Sequence, residues 1–541
     1  MSIVMNTPVS RMDGPYPRRW AALGVLCLSL LIVVMANTAL IVAAPDMTRD
    51  LALTSSDLQW VIDGYTVPYA ALMLLFGVIG DKYSRRGALL AGLLVFGAGA
   101  VVGSLADTTT AVVAARVVMG VGAAIIMPAT LSLLVATFPR AERAGAIAAW
   151  AATSGLAIAL GPLLAGWLLA SHSWNATFLV NVPIAAVATV AALMLVPPSK
   201  ADGRGPIDWL GGLLSVVTIG SLVYAIIDGF HFGWGAGAVG AAVTAAVGLG
   251  LFVAWELRHP QPLLDVRMLG RREVGGSTLA VLLLFLAAFG TIYFVSQEFQ
   301  FVLGLSPLAT GVHLLPLAAA VSVGSLLSGR VHPRLGTRIT VVAGMVIAAA
   351  GVLLTTTVDG GAGYLDFLAP LILLGAGIGL SVSPATDAVM GNFPESDLGA
   401  AGGIDDTAIE LGGSLGIAIL GSVLASAYKD GIAGFLGTLP VDQLSGEQAA
   451  QAARAVDVAG DSIGGASVVA AELGADPLFA SQSQALLDAA GTAYASAVSQ
   501  AGLIGGLALG IGALVVALVL PGRTVTPESG DRSSELAVVG Q

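Results

Sequence analysis

The chain has 541 residues, of which 56% are hydrophobic and only 11% charged, and its mean hydropathy is +0.89. A soluble domain carries about 25% charged residues, so a chain this long cannot clothe itself in a hydrated surface and must be solvated by lipid. The acid behind the net charge of −11 is dense in residues 428–498 and in the C-terminal tail, which reads as local solvation and makes nucleic acid a poor partner. The single cysteine, Cys27, lies in the first apolar run, which excludes disulfides and cysteine metal sites.

Arg11, Arg18 and Arg19 precede an apolar stretch from Ala21 to Ala44. It is longer than the core of a cleaved signal, so it reads as a retained first helix. A helix crosses the hydrocarbon in roughly 20 residues. Runs of that length fall at 21–44, 59–80, 87–106, 110–134, 144–170, 176–197, 207–229, 236–256, 274–296, 308–329, 338–358, 365–388, 400–426 and 500–520. These fourteen spans put both ends of the chain on one side. Of the 23 Lys and Arg, only Arg49, Lys429 and Arg454 fall on the opposite face, and only Arg116 falls inside a span. Basic residues accumulate in cytoplasmic loops, so both termini are expected in the cytoplasm and the chain in the cell (inner or plasma) membrane.

The organisation expected is a cytoplasmic N-terminus (1–20), a six-span lobe (21–197), an inserted pair (207–256), a second six-span lobe (274–520) and a cytoplasmic tail (521–541). Between spans 13 and 14, residues 428–498 form an extracytoplasmic loop with helical composition at Gly446–Val458 and Ser481–Ala497. It reads as a solvated spacer or hairpin, with a substrate gate or partner site as the alternative. A weak repeat relates the lobes. The loop after span 2 reads Gly77-Val-Ile-Gly-Asp81-Lys-Tyr-Ser-Arg85-Arg86-Gly-Ala, and that after span 10 reads Pro333-Arg334-Leu-Gly336-Thr-Arg338-Ile-Thr. Asp81 aligns with Pro333, Ser84 with Gly336 and Arg86 with Arg338, so the second copy has lost its acid.

These loops resemble the major facilitator superfamily, and fourteen spans with an inserted pair resemble its drug:proton antiporter branch of QacA/EmrB type, over essentially the whole chain. The first motif is the loop at Gly77–Arg86, similar to G-x-L-a-D-r-x-G-r-r. Asp81 is suited to pair with a basic group or cap a helix N-terminus, and Arg85 and Arg86 are expected to face cytoplasm and headgroups. In the family this cluster latches the outward-facing state. Ser84 stands where the family has Gly. The second motif, in span 4, is Arg116-Val-Val-Met-Gly120-Val-Gly122-Ala-Ala, similar to R-x-x-x-G-x-G-x-A. Burying its arginine costs at least ~2.5–3.5 kcal/mol on insertion scales, so Arg116 needs a carboxylate or exposed carbonyls. It serves either a structural ion pair or the coupling of protonation to helix movement. The third motif, in span 5, is Ala157-Ile-Ala-Leu-Gly161-Pro162-Leu-Leu-Ala165-Gly166, similar to the antiporter motif G-x-x-x-G-P-x-x-G-G. Pro162 bends the helix and the small residues admit a neighbour. In the family this motif accompanies export. Trp60-Val-Ile-Asp63-Gly-Tyr65 resembles the W-x-x-D-x-Y of quaternary-ammonium exporters, Phe178-Leu-Val-Asn181-Val-Pro183 the span-6 entry, and Asp405-Asp406-Thr407-Ala-Ile-Glu410-Leu-Gly412-Gly413 the span-13 segment.

A proton-driven pump needs a group that takes a proton from one side and gives it to the other. Carboxylates suit this, because burial disfavours the charged form and a nearby cation favours it. The candidates within spans are Asp63, near the outer face of span 2, and Asp406 and Glu410, four apart on one face of span 13. Asp405 points elsewhere, toward the cytoplasmic rim. Asp387 and Asp228 read as boundary residues at the ends of spans 12 and 7. His313, within span 10, reads as a mid-span packed histidine. Where the family commonly has an acid in span 1, this chain has Ala36, followed by Asn37, which cannot titrate. Coupling is therefore assigned to Asp63, Arg116, Asp406 and Glu410. There is no metal-ligand spacing among the histidines and no Walker-type phosphate loop, so neither a cofactor nor ATP is expected. The function implied is a monomeric, proton-coupled exporter of lipophilic small molecules, cations among them. A dedicated exporter of one metabolite, lipid or siderophore is the alternative, and a non-transporting scaffold or membrane enzyme a more distant one.

Overall fold

The computed structural model describes residues 15–51, 53, 55–201, 206–358, 361–439, 446–475 and 480–522. Arg11, Arg204, Arg523 and Arg532, and most of the two tails at 1–20 and 521–541, lie outside them. Among the described residues every regular element is helical, and fourteen helices are long and apolar enough to cross a membrane, the number expected. In hydrocarbon a helix satisfies all its backbone hydrogen bonds internally, so apolar runs of this length adopt it.

Spans 1 to 5 are the helices Arg19–Leu51, Ser55–Tyr83, Arg85–Ser104, Thr109–Thr137 and Arg140–Leu169. Span 6 is broken into Ala176–Leu179 and Asn181–Leu195. The inserted pair is Trp209–Phe232 and Ala236–Glu256. Span 9 is Arg272–Gln297, prolonged by a π-helical turn, Glu298–Val302. Span 10 is broken into Pro307–His313 and Leu315–Leu335. Spans 11 to 14 are Thr337–Leu354, Tyr364–Asn392, Leu398–Leu436 and Ala480–Val519. His313 is thus not mid-span: it closes the short first piece of span 10 and packs edge-on against Tyr364, with ring centroids 4.3 Å apart.

Spans 1–6 pack among themselves, as do spans 9–14, giving two six-helix lobes. The lobes meet chiefly along two seams, span 2 on span 13 and span 5 on span 10, and the inserted pair leans on span 2. Segment 428–498 is less a loop than expected. Span 13 continues to Leu436 and span 14 begins at Ala480, with the helices Gly446–Asp461 and Ile463–Gly474 between them. This hairpin is docked on the second lobe. The Tyr428 hydroxyl donates to the Ala459 carbonyl (3.0 Å) and the Ser483 hydroxyl to that of Ala470 (2.7 Å).

Lipid tails are as apolar as leucine, so helix association depends on close packing through small residues. Within the second lobe a Cβ built on Gly377 would lie 2.4 Å from both the Ala348 nitrogen and the Gly344 carbonyl oxygen. Gly250 in span 8 has no neighbour within 4 Å. Gly377→Val therefore forces two backbones apart, a cost of at least about 1–3 kcal/mol, whereas Gly250→Val adds a lipid-facing side chain. Thermal unfolding in detergent is expected to show a clearly lowered midpoint for the first and an unchanged one for the second; equal midpoints would contradict the packing.

Candidate functional site

The basic end of the span 2–span 13 seam is built by the loop Gly77–Arg86. Ser84, extended at φ −174°, caps span 3 by accepting from the Gly87 amide (2.9 Å), so a serine closes this turn without the family's glycine. The Asp81 carboxylate is fully buried. One oxygen accepts from Arg85 Nε at 2.6 Å. The other accepts from the Gly399 amide in the first turn of span 13, where unpaired N–H groups and the helix dipole favour an anion. Arg85 also donates to the Ser199 hydroxyl (3.2 Å) and to the Glu395 carbonyl. Gly77 and Gly399 touch backbone to backbone, leaving no room for a Cβ on either. The expectation that both arginines face water is corrected here: Arg85 is 3% exposed, because its carboxylate and carbonyl partners are inside the seam. Only Arg86 stays at the surface, donating to the Leu193 carbonyl (2.6 Å).

Arg116 is fully buried. Its Nε donates to the Val61 carbonyl (3.0 Å), its Nη2 to the Asn37 side-chain oxygen (3.2 Å), and its guanidinium carbon lies 4.2 Å from the centre of the Tyr65 ring. The Tyr65 hydroxyl is fixed on the Val33 carbonyl (2.9 Å). Asp63 is close enough to act electrostatically on Arg116. On its other side, Asp63 and Asp228 both act on the Tyr224 hydroxyl of span 7, whose ring lies 6.0 Å from Trp60. Gly120 and Gly122 hold span 4 against the Tyr65 carbonyl and the Phe96 backbone, so both need the absence of a Cβ.

From Tyr65 the polar file continues toward the other lobe. The Tyr69 ring lies 5.5 Å from that of Tyr65, and its hydroxyl meets Glu410 of span 13. Glu410 and Asp405 both act on Asp406. Asp406 is buried with neither oxygen hydrogen-bonded. Asp405 is fully buried and accepts from the Thr386 hydroxyl of span 12 at 2.8 Å. The sequence reading also missed Glu298, 1% exposed with Oε2 unpartnered. The π-helical turn carries span 9 beyond its apolar run, so an acid that looked like a loop residue is interior. A π turn often marks functional sites, but neither charge count nor hydropathy signals one. At the basic end, Asp387 faces His332 of span 10 and Arg143 of span 5.

The Gly161–Pro162 segment of span 5 sits at a three-helix junction. A Cβ on Gly161 would fall 1.9 Å from the Thr38 hydroxyl of span 1. Pro162 backs Gly311, and Gly166 backs Leu308, both in span 10. Further along the same seam a small cavity lies between the lobes, lined by Trp150, Ser154, Phe285, Phe289, Ile292 and Ile409 among others. The space within it open to the centre of a water is about 30 Å³, room for a water or two. Among the described residues its lining is apolar and holds no carboxylate; the acids stand beside it on the span 2 seam.

Removing one partner of a buried ion pair costs about 3–5 kcal/mol, because the other charge is stranded. Asp81→Ala is therefore expected to lower the thermal midpoint in detergent strongly, and Asp81→Ala with Arg85→Leu to recover much of the loss. A double variant as unstable as the sum of the two singles would show that Arg85 is not held by Asp81.

Residues 26–417 match the Major Facilitator Superfamily. The chain is 34% identical over 500 residues to the multidrug efflux pump LfrA of Mycolicibacterium smegmatis, covering 92% of this chain and 96% of that one. It is 32% identical to the tetracenomycin C resistance and export protein of Streptomyces glaucescens, over 79% of each chain. It is 30% identical to the methyl viologen resistance protein SmvA of Salmonella typhimurium, over 88% and 93%. Among solved structures, a bacterial homologue of the human lysosomal transporter Spinster superposes with TM-score 0.53 at 19% identity, over 94% of this chain and 98% of that one. The proton:xylose symporter XylE superposes with TM-score 0.55 at 14% identity, over 74% and 87%. Two lobes meeting along two seams, an anion-capped helix at one end and a cavity between them are a transporter's parts, and the chain belongs to the Major Facilitator Superfamily.

Proposed function

We propose that the chain is a proton-coupled antiporter that exports lipophilic small molecules, cations among them, as a monomer with both termini in the cytoplasm. The observation that carries the reading is the polar file from Arg116 through Tyr65 and Tyr69 to Glu410 and Asp406, which crosses from one lobe to the other beside an apolar cavity. Ionisable groups in a bilayer are expensive and mark ion pathways, and an apolar cavity suits a lipophilic guest. Motifs at Asp81, Arg116 and Gly161–Pro162 support the antiporter branch, as do relatives named for drug efflux and resistance.

In the proposed cycle a proton reaches Glu410 or Asp406 from outside, the lobes rock, and the proton leaves to the cytoplasm as substrate enters the cavity from the membrane or cytoplasm. Each charge moved down the membrane potential supplies about 2.3 kcal/mol per 100 mV. Arg116, tied to the Val61 carbonyl and Asn37, holds spans 1, 2 and 4 together as one body while the proton is exchanged. The seam at Asp81 and Gly399 is the cytoplasmic latch and the Pro162–Gly311 contact the outer one. The cavity, too small for a drug, belongs to a form closed at both ends. A narrower range, one metabolite or neutral compound, is the second reading. It is favoured by Ala36 at the span-1 acid position and by the uncharged cavity lining.

Everted vesicles carrying a pH probe test the mechanism with ethidium as substrate. Ethidium addition is expected to discharge the proton gradient with wild type and not with Glu410→Gln, and a protonophore to abolish dye export from intact cells. Undiminished export by Glu410→Gln would remove this residue from the mechanism. Export of one compound only, across a panel of cationic and neutral dyes, would select the narrow reading.

A further inference from the structure

Spans 2 and 13 run antiparallel along the lobe boundary, and their contacts can be followed residue by residue. At the basic end Gly77 meets Gly399; next, Gly403 lies against Leu74, a Cβ there coming within 2.9 Å of the Leu74 Cα. Deeper still, Tyr69 meets Glu410. At 1.5 Å per residue, Glu410 stands roughly 16 Å along span 13 from the amide that Asp81 caps. The latch and the carboxylate are thus two points on one pair of helices. Tyr69 is 3% exposed, and none of the three sequence motifs includes it.

The titratable and charged groups facing Glu410 are few. Span 2 offers Tyr65 and Tyr69, with Arg116 of span 4 behind Tyr65. Its own helix offers Asp406, with Asp405 turned to Thr386. Span 9 meets this face with the Leu282 carbonyl and the Phe289 ring, against Gly412 and Gly413. Tyr69 is therefore the hydroxyl that connects the carboxylate to the opposite lobe.

We propose that Tyr69 is the positioning residue that converts the protonation state of Glu410 into the strength of the seam between spans 2 and 13. A phenol donating to a carboxylate makes a charge-assisted hydrogen bond, about twice as strong as the bond between neutral partners. With Glu410 ionised, Tyr69 donates to it and the seam is clamped at this level as well as at Asp81. When Glu410 takes a proton the clamp falls to an ordinary hydrogen bond, and the cytoplasmic halves of the two spans part more readily. The direction is the one an exporter driven by inward protons requires: loading the proton favours opening toward the cytoplasm. This rests on the antiport reading above.

The test measures opening without substrate. In reconstituted protein with Cys27→Ser, spin labels on Tyr83→Cys and Pro394→Cys, both exposed at the basic end, report the distance across the seam. Wild type is expected to shift to longer distances as pH falls. Tyr69→Phe is expected to lose that shift and sit at the longer distance throughout. Glu410→Gln is expected to do the same with Tyr69 intact, and Tyr69→Phe to add nothing in that background. A Tyr69→Phe protein that shifts with pH as wild type does would overturn the assignment while leaving antiport standing. Additive effects of the two substitutions would overturn it too. A wild type that does not move with pH would instead sink the proton-coupling reading itself.

Discussion

An ionised side chain inside a bilayer needs a partner, water or a proton, and the contact between spans 2 and 13 is where this protein meets that demand. Asp81 satisfies it with Arg85 and a helix N-terminus. Glu410 has the Tyr69 hydroxyl of the opposite lobe beside it. Both solutions borrow a group from the opposite lobe, so the electrostatic comfort of each carboxylate depends on the lobes being together. That dependence turns a packing interface into something a proton can act on. Arg116 is settled differently. Its partners, Val61, Asn37 and Tyr65, all belong to its own lobe, so it need not lose them when the lobes part.

The repeat seen in the loops after spans 2 and 10 has a structural meaning. Exchanging the lobes carries span 2 onto span 10 and span 5 onto span 13, so the span 2–span 13 seam maps onto the span 5–span 10 seam. The second copy has Pro333 where the first has Asp81, yet acid is not missing from that end. Asp387, from span 12, faces His332 and Arg143. The basic end of each seam therefore has a carboxylate near a cation, supplied in one case by the loop and in the other by a neighbouring helix. Gly336, at φ +81°, closes the second loop in a backbone conformation that only glycine adopts readily, which is why it replaces Ser84 there without harm.

Most of the architecture was legible because length and apolarity decide it. A run of twenty apolar residues has one stable solution in lipid, and fourteen such runs became fourteen helices. What hydropathy does not mark is where a helix stops once it leaves the hydrocarbon. Span 13 continues to Leu436 because its Ala427, Tyr428 and Ile432 are packed inside the lobe, and span 9 adds a π turn that carries Glu298 indoors. The burial of Arg85 was hidden for a related reason: a basic loop looks the same in sequence whether its arginine meets headgroups or a carboxylate. Asp405 and Asp406 are neighbours in sequence and both buried, but Asp405 meets the Thr386 hydroxyl of another span while Asp406 faces Glu410. Tyr69 was invisible because one tyrosine in an apolar helix carries no spacing signal.

The separation of cavity and carboxylates bears on how cargo and proton are coupled in the proposed antiport. A lining of Trp150, Phe285, Phe289 and Ile292 recognises its guest by burial of apolar area, which is non-directional and tolerates many shapes. Such a surface cannot compete with a proton for one carboxylate, because no carboxylate is on it. Coupling must then be mechanical, and span 13 is the element placed to provide it: Ile409 lines the cavity while Glu410, the next residue, meets Tyr69. A guest that pushes the cavity walls apart acts on Ile409, and the same displacement moves its neighbour against Tyr69. Breadth of substrate and strictness of coupling are thereby assigned to adjacent residues on one helix, which removes the need for an acid in span 1: Ala36 packs there, and Asn37 beside it serves Arg116.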